Sequence, residues 1–321
     1  MAAIVEIENL TKDYEVGFLR KRRVRALDGL SLKVESGEIF GFLGANGAGK
    51  TTTMKLLMRL IYPTAGRARI LGRDISDVQM HARIGYLTEN PYFYDYLTAR
   101  EFLDYCAELF GYARGERKRR TEALLERVHL DRKSWDKQLR KFSKGMLQRV
   151  GIAQAIINDP EIVFLDEPMS GLDPIGRREV RDLIASLRTT GTTVFLCSHI
   201  LSDIEVLCDR VAILKRGRLV EQGRLEELRS KAGGDDHRIE ITVAGAEAEA
   251  IGQHLTHLSG ASVMTTASGA RIEVADELDV DKAIQALRLA GGRLISVQPV
   301  RQSLEELFMR EAGSEDRTPG A

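Results

Sequence analysis

The run "EIFGFLGANGAGKTTTMKLLMRL", residues 38–60, constrains this chain more than any other. A continuous apolar strand leads into a glycine loop, and Lys50 and Thr51 then open an amphipathic helix, so the spacing G-x-x-x-x-G-K-[ST] sits in the strand–loop–helix setting it requires. The loop takes in Gly44, Ala45, Asn46, Gly47, Ala48, Gly49, Lys50, Thr51 and Thr52. Its glycines free backbone N–H groups to wrap phosphate oxygens, and the helix N-terminus adds its dipole. Lys50 is expected to reach β and γ phosphates, and the Thr51 hydroxyl to ligate Mg²⁺.

A second run, "EIVFLDEPMSGLDP" at 161–174, ends an apolar strand on two acids. Ligands in parallel sheets bind at the C-terminal ends of strands. Asp166 is therefore expected near Mg²⁺, and Glu167 is placed to orient or deprotonate an attacking water. The next strand, "TTVFLCS", delivers His199 to the same edge; a lone histidine is often structural, but this position favours a γ-phosphate contact. Asp173 with Pro174 reads as a helix N-cap and first-turn pair. Tyr14 is open between an ordinary strand aromatic and an adenine-stacking ring.

Residues 142–149, "FSKGMLQR", place Ser143 ahead of a long apolar-periodic run. Serine favours a helix start and glycine disfavours a helix interior, so a helix is predicted to begin near Gly145. Its free N–H groups make an anion site, although the chain's own phosphate loop already surrounds one nucleotide.

Residues 1 to about 228 alternate β-branched runs with helical patterns, which predicts an α/β domain with a largely parallel sheet. Residues 95–160 lack a strand pattern and read as an inserted helical subdomain. The polar, glycine-rich stretch 229–237 reads as a linker. Residues 238–321 then follow β-α-β-β-α-β order, a small α+β ferredoxin-like domain, with Ser303 and Glu306 as a capping box on a last helix.

The chain carries 47 Lys+Arg against 47 Asp+Glu, so no global field draws it to nucleic acid or an anionic surface. Cys106, Cys197 and Cys208 are scattered without metal-ligand spacing, the pattern of reduced thiols in a cytosolic protein. No stretch approaches 18 uncharged apolar residues, so the chain is not expected to cross a membrane alone.

With these motifs in order, residues 4 to about 226 closely resemble the ATP-binding cassette family, the ATPase subunits of ABC transporters. "FSKGM" occupies the place of that family's signature, LSGGQ. The resemblance implies a P-loop ABC cassette that binds ATP and Mg²⁺. It also implies a head-to-tail dimer with a second copy of the chain, in which Ser143 and Gly145 face the ATP held by the partner. It makes Tyr14 the adenine-stacking residue, Gly44–Thr52 the Walker A loop, Asp166 the Walker B acid, Glu167 the general base and His199 the switch histidine. Ser170–Asp173 becomes the loop joining the two sites. Two departures stand out: Glu89 falls where the family has a glutamine, and Phe142, Lys144 and Met146 replace Leu, Gly and Gln in the signature. Glu89 can still offer an oxygen to Mg²⁺, whereas Lys144 either adds charge near the partner's phosphate or points to solvent.

The implied function is the ATPase subunit of an ABC exporter at the cytoplasmic face of a membrane, working beneath separate transmembrane permease subunits. The aromatic stretch "NPYFYDYLTAREFL" would be core or a docking surface for those subunits. The alternative class is a soluble cassette acting on nucleic acid or the ribosome, supported by "RKRRVR" at 20–25 and "RKRR" at 117–120. Such charge runs are usually solvated faces, and a single cassette argues against that class, so no nucleic-acid partner is expected.

Overall fold

In this computed structural model the described residues are 3–17, 21–228, 238–255, 258, 260–266 and 269–299. Five consecutive buried residues form β3, Ile39–Leu43. Such runs belong in a parallel sheet covered on both faces. β7 (Ile162–Asp166) and β8 (Thr193–Ser198) are likewise buried throughout. With β6 (Ile84–Leu87), β9 (Arg210–Lys215) and β10 (Arg218–Arg224) they make a six-stranded sheet in the order β10-β9-β3-β8-β7-β6. β10 runs antiparallel to β9, and the remaining neighbours are parallel. Phe195 lies at the centre, with ring centroids 5.4 Å from Phe40 and Phe42 and 5.3 Å from Phe164.

The expectation of one largely parallel sheet needs extension. β1 (Ala3–Val16) and β2 (Arg22–Glu35) form a long antiparallel pair, and β4 (Ala65–Ile70) and β5 (Arg73–Asp74) add to it as a second sheet, β2-β1-β4-β5. Register shifts interrupt the pairing around Ile7–Asp13, and Asn9 adopts a left-handed φ of 47°. These irregularities break the period-two alternation by which antiparallel strands are recognised. Val5, Leu10, Leu27 and Leu30 from this sheet share one core with Phe40 and Phe42.

Between β6 and β7 lie three helices: α2 (Ala99–Leu109), α3 (Arg114–Arg127) and α4 (Lys144–Ala155). Thr98 and Glu101 close a reciprocal capping box at the start of α2. Ser143 caps α4, its hydroxyl accepting the Met146 N–H at 3.3 Å. Two glycines seat α4 on the sheet. A Cβ on Gly85 of β6 would lie 1.9 Å from the Ala155 carbonyl oxygen, and one on Gly151 of α4 would lie 2.7 Å from Leu87 Cδ1. Around the central sheet stand α1 (Lys50–Leu57), α5 (Pro174–Thr189) and α6 (Leu201–Leu207). Asp173 caps α5 by accepting the Gly176 N–H at 2.7 Å, with Pro174 in its first turn.

The chain divides into two units, Met1–Leu225 and Glu226–Ala321. In the second, β11 (Ile239–Ala244), β12 (Ser262–Thr266), β13 (Gly269–Val274) and β14 (Arg293–Pro299) form an antiparallel sheet in the order β12-β13-β11-β14. Helices Ala248–Leu255 and Val280–Leu289 complete the split βαβ topology of a ferredoxin-like domain. Its own core includes Ile241, Val243, Ile272 and Leu287. The expected linker 229–237 and the Ser303–Glu306 capping box lie outside the described residues.

Part of each basic run is absorbed by ion pairs. Arg25 meets Asp13 and Asp28, Lys21 meets Glu15, Arg117 meets Asp104 and Glu108, and Arg120 meets Asp159.

Because Phe195 is fully buried against three other rings, Phe195→Ala should lower stability by about 3–5 kcal/mol. A urea melt of the full chain, set against the wild type, measures it.

Candidate active site

Three adjacent strands converge on one sheet edge. β3 ends at the glycine loop and Lys50, β8 runs out to His199, and β7 ends at Asp166 with Glu167 next. The order β3-β8-β7 therefore brings together side chains more than a hundred residues apart in sequence.

Gly49 shows why the loop needs glycine. Its φ is 110°, and a Cβ there would lie 2.8 Å from both the Ala26 carbonyl oxygen and Leu27 Cδ2. Gly47 has open space but a φ of 82°, so backbone conformation alone selects it. The loop encloses a cavity of about 250 Å³ whose lining includes Ala45, Asn46, Thr51, Thr52, Glu89 and Glu167. Ala26, from β2, closes one side. Nothing in the sequence marked it, because β2 reaches the loop only through tertiary folding.

Lys50 is buried and bridges the loop to the acid. Its Nζ donates to the Gly44 carbonyl at 2.6 Å and lies 3.3 Å from Glu167 Oε1. The other Glu167 oxygen, Oε2, lies 2.8 Å from His199 Nδ1. Glu167 itself holds a left-handed φ of 50°, an uncommon conformation for a residue other than glycine, and its N–H donates to the Cys197 carbonyl. The backbone is thus bent so that this carboxylate faces both Lys50 and the histidine.

Asp166 is 1% exposed, and neither carboxylate oxygen has a hydrogen-bond partner among the described residues. Burial pushes its carboxyl pKa up to about 6. The Thr51 hydroxyl, close by but outside hydrogen-bond geometry, opposes this; Glu167 and Glu89 add to it. Two orphaned buried oxygens beside a threonine hydroxyl suit a hard dication. Among the described residues no three His, Cys, Asp or Glu side chains form a metal cage, so phosphate oxygens and water would supply the other ligands.

The remaining predicted residues fall into two places. Glu89 is exposed and lines this cavity. Tyr14 is half-buried on β1, paired with Val24 and covered by the Lys12 ammonium 5.2 Å from its ring centroid; it does not line that cavity. Ser143 and Gly145 stand at the start of α4, also outside the lining of their own chain's loop. The aromatic stretch splits: Phe93 packs in the core against Phe102, while Tyr92, Tyr94 and Tyr96 are exposed. Sequence reading also passed over Asp203 on α6. It is fully buried, its oxygens lack hydrogen-bond partners among the described residues, and Arg177 Nη1 stands 4.0 Å away. Burial raises its pKa.

Residues 27–170 match the family model described as ABC transporter, and residues 223–312 match that of the ATP-binding protein DrrA1-3-like C-terminal domain. An uncharacterized ABC transporter ATP-binding protein of Synechocystis is 48% identical, over 97% of this chain and 85% of its own length. The daunorubicin resistance ATP-binding protein DrrA3 of Streptomyces coeruleorubidus is 35% identical, over 92% of this chain and 94% of its own. Among solved structures, an ATP-binding cassette captured as a dimer in a post-hydrolysis state with ADP and Pi aligns with a TM-score of 0.63. It is 27% identical over 69% of this chain and 98% of its own.

Asp166 binds its proton more tightly in the folded chain, at about 6, than at its ordinary value of 3.8. This group's contribution is therefore most favourable below pH 4 and is lost as pH rises through 6. Asp166→Asn should make the nucleotide-free protein more stable than wild type above pH 6, by on the order of 2–3 kcal/mol. The difference should close below pH 4. Urea melts across pH 4–7.5 read both limits.

Proposed function

This chain belongs to the ABC transporter ATP-binding family, and on that premise we propose that it powers export through separate transmembrane permease subunits, as one half of a head-to-tail dimer. It is an ATPase subunit by family. The observation that carries the proposal is the division of its phosphate-facing groups. Lys50, Thr51 and Glu167 line the chain's own cavity, whereas Ser143 and the start of α4 stand apart from it. A second copy turned head to tail gives that spare helix start a γ-phosphate. Among the described residues no helix is long and apolar enough to cross a membrane, which fits a role carried out through partner chains at the membrane's cytoplasmic face.

Within one site the residues have distinct work. The loop N–H groups and Lys50 hold the β and γ phosphates, which requires Lys50 to exchange the Gly44 carbonyl for a phosphate oxygen. Thr51 and Asp166 would hold Mg²⁺, with Glu89 at the cavity wall; bound there, the ion would neutralise developing phosphate charge. Glu167 accepts the proton of the attacking water as the γ-phosphorus–oxygen bond to ADP breaks. His199, already on Glu167 Oε2, orients that carboxylate and is placed to meet the γ-phosphate. Tyr14 is assigned to the adenine ring.

The relatives suggest the kind of cargo. One carries daunorubicin resistance in its name, and another, from Bacillus licheniformis, is a bacitracin transport ATP-binding protein, 42% identical over 72% of this chain and 73% of its own. An amphiphilic or drug-like substrate follows by analogy, selected by the permease.

Glu167→Gln should retain ATP binding, slow turnover by roughly 10²–10⁴-fold and trap a dimer with MgATP on size exclusion. A species that stays monomeric at high protein concentration contradicts the composite site. Mixing Ser143→Arg with Lys50→Ala chains should restore partial ATPase activity, because one of the two heterodimer sites then carries neither lesion. No recovery in verified heterodimers rules out the head-to-tail arrangement.

A further inference from the structure

Asp203 holds a charge that no step assigned to the site uses. It is the third residue of α6 and is fully buried. A carboxylate in the first turn of a helix commonly folds back to accept a free N–H, but neither oxygen of Asp203 accepts a hydrogen bond among the described residues. Arg177 Nη1, from α5, stands 4.0 Å from its Oδ2, and 29% of that arginine side chain is open to solvent. A buried carboxylate without hydrogen bonds lowers stability, so its place calls for a reason in the chemistry.

His199 is joined to α6 by a single residue, Ile200, whose N–H is held by the Ser198 hydroxyl at 3.0 Å. The histidine and Asp203 therefore sit on one short, braced stretch. Burial raises the Asp203 pKa, with Glu167 adding to it; Arg177, Arg181 and His199 pull the other way, so the aspartate and the histidine lie in one another's field. His199 has an unmet requirement of its own. Its Nδ1 lies 2.8 Å from Glu167 Oε2, and a carboxylate only accepts, so Nδ1 carries a proton. In the neutral ring Nε2 is then an acceptor, and so is every γ-phosphate oxygen. A ring that joins Glu167 to the γ-phosphate must carry a proton on both nitrogens. With 39% of its side chain exposed, His199 takes the second proton from solvent.

We propose that Asp203 is a positioning residue that keeps His199 doubly protonated, and so able to donate to Glu167 and the γ-phosphate at once. The proposal rests on the reading above that His199 meets the γ-phosphate. Through a low-dielectric interior, the aspartate favours the imidazolium more than a surface carboxylate would. The other groups around the pair are Glu167 with Lys50 upon it, Arg177 and Arg181 of α5, and the Cys208 thiol, which burial keeps protonated. Arg177 favours the ionised aspartate while its 4.0 Å distance leaves both oxygens free of hydrogen bonds.

The test is equilibrium nucleotide binding to the full-length protein, which does not depend on turnover. Asp203→Asn keeps the shape and removes the charge. It should weaken binding of the non-hydrolysable analogue MgAMP-PNP by about three- to tenfold and leave MgADP, which has no γ-phosphate, within about twofold of wild type. In a His199→Ala chain the same substitution should change neither affinity. With ¹⁵N-labelled histidine, and His199 assigned by its loss in His199→Ala, the MgAMP-PNP complex should show both ring nitrogens protonated, and the Asp203→Asn complex a neutral ring. Because a buried charge is removed, Asp203→Asn should unfold at no lower urea concentration than wild type. A lower midpoint would make the aspartate a structural partner of Arg177 and overturn the proposal. So would an undiminished MgAMP-PNP affinity in Asp203→Asn, an equal loss with and without His199, or a wild-type ring whose signals shift with MgAMP-PNP yet stay singly protonated. A ring whose signals MgAMP-PNP leaves unmoved, with wild-type affinity in His199→Ala, would instead remove the γ-phosphate contact itself, and this proposal with it.

Discussion

The buried contact between Lys50 and Glu167 is the constraint from which the rest of the site follows. Each side chain is 6% exposed, and a buried charge without a partner is costly enough to reshape whatever surrounds it. To bring the pair together, β3 and β7 must end at the same level, with β8 between them. That arrangement in turn sets His199 on the far oxygen of Glu167. It also forces a glutamate into a left-handed backbone, a strain that packing on both sides of the sheet sustains. Lys50 also donates to the Gly44 carbonyl, which ties the glycine loop to the same acid.

What the sequence revealed was local. The glycine loop, the acids after β7, the Ser143 and Asp173 caps and the order of elements in the small domain all depend on residues a few positions apart, and the structure has them in place. What it concealed was non-local. β1 and β2 pair along most of their length, but the irregular register near Asn9 hides the alternation that would have declared a second sheet. Phe93 and its tyrosine neighbours look alike in sequence, and only packing against Phe102 separates core from surface. Lys144 could not be placed from its own surroundings, because its side chain lies beside Gly171, twenty-seven positions away. The buried Asp203 is ordinary in sequence and becomes notable only once α6 covers it.

The two units differ in how they secure their cores. The first closes two sheets and a helical insertion over one apolar mass that includes Phe40, Phe42 and Phe164. The second is a single antiparallel sheet under two short helices, with its own core around Ile241 and Ile272. Separate cores allow separate cooperative units.

The glycine seat of α4 has a mechanical meaning. Its last turn rests backbone-to-backbone on Gly85, and Gly151 brings its middle against Leu87, so the helix is pinned to the sheet at the end away from Ser143. Twelve residues of helix span about 18 Å. A beam held at one end converts a slight tilt at its root into a larger sweep at its tip, and the tip carries Ser143 and Lys144. A methyl group added at position 85 would act as a wedge under the root and displace the end that carries Ser143.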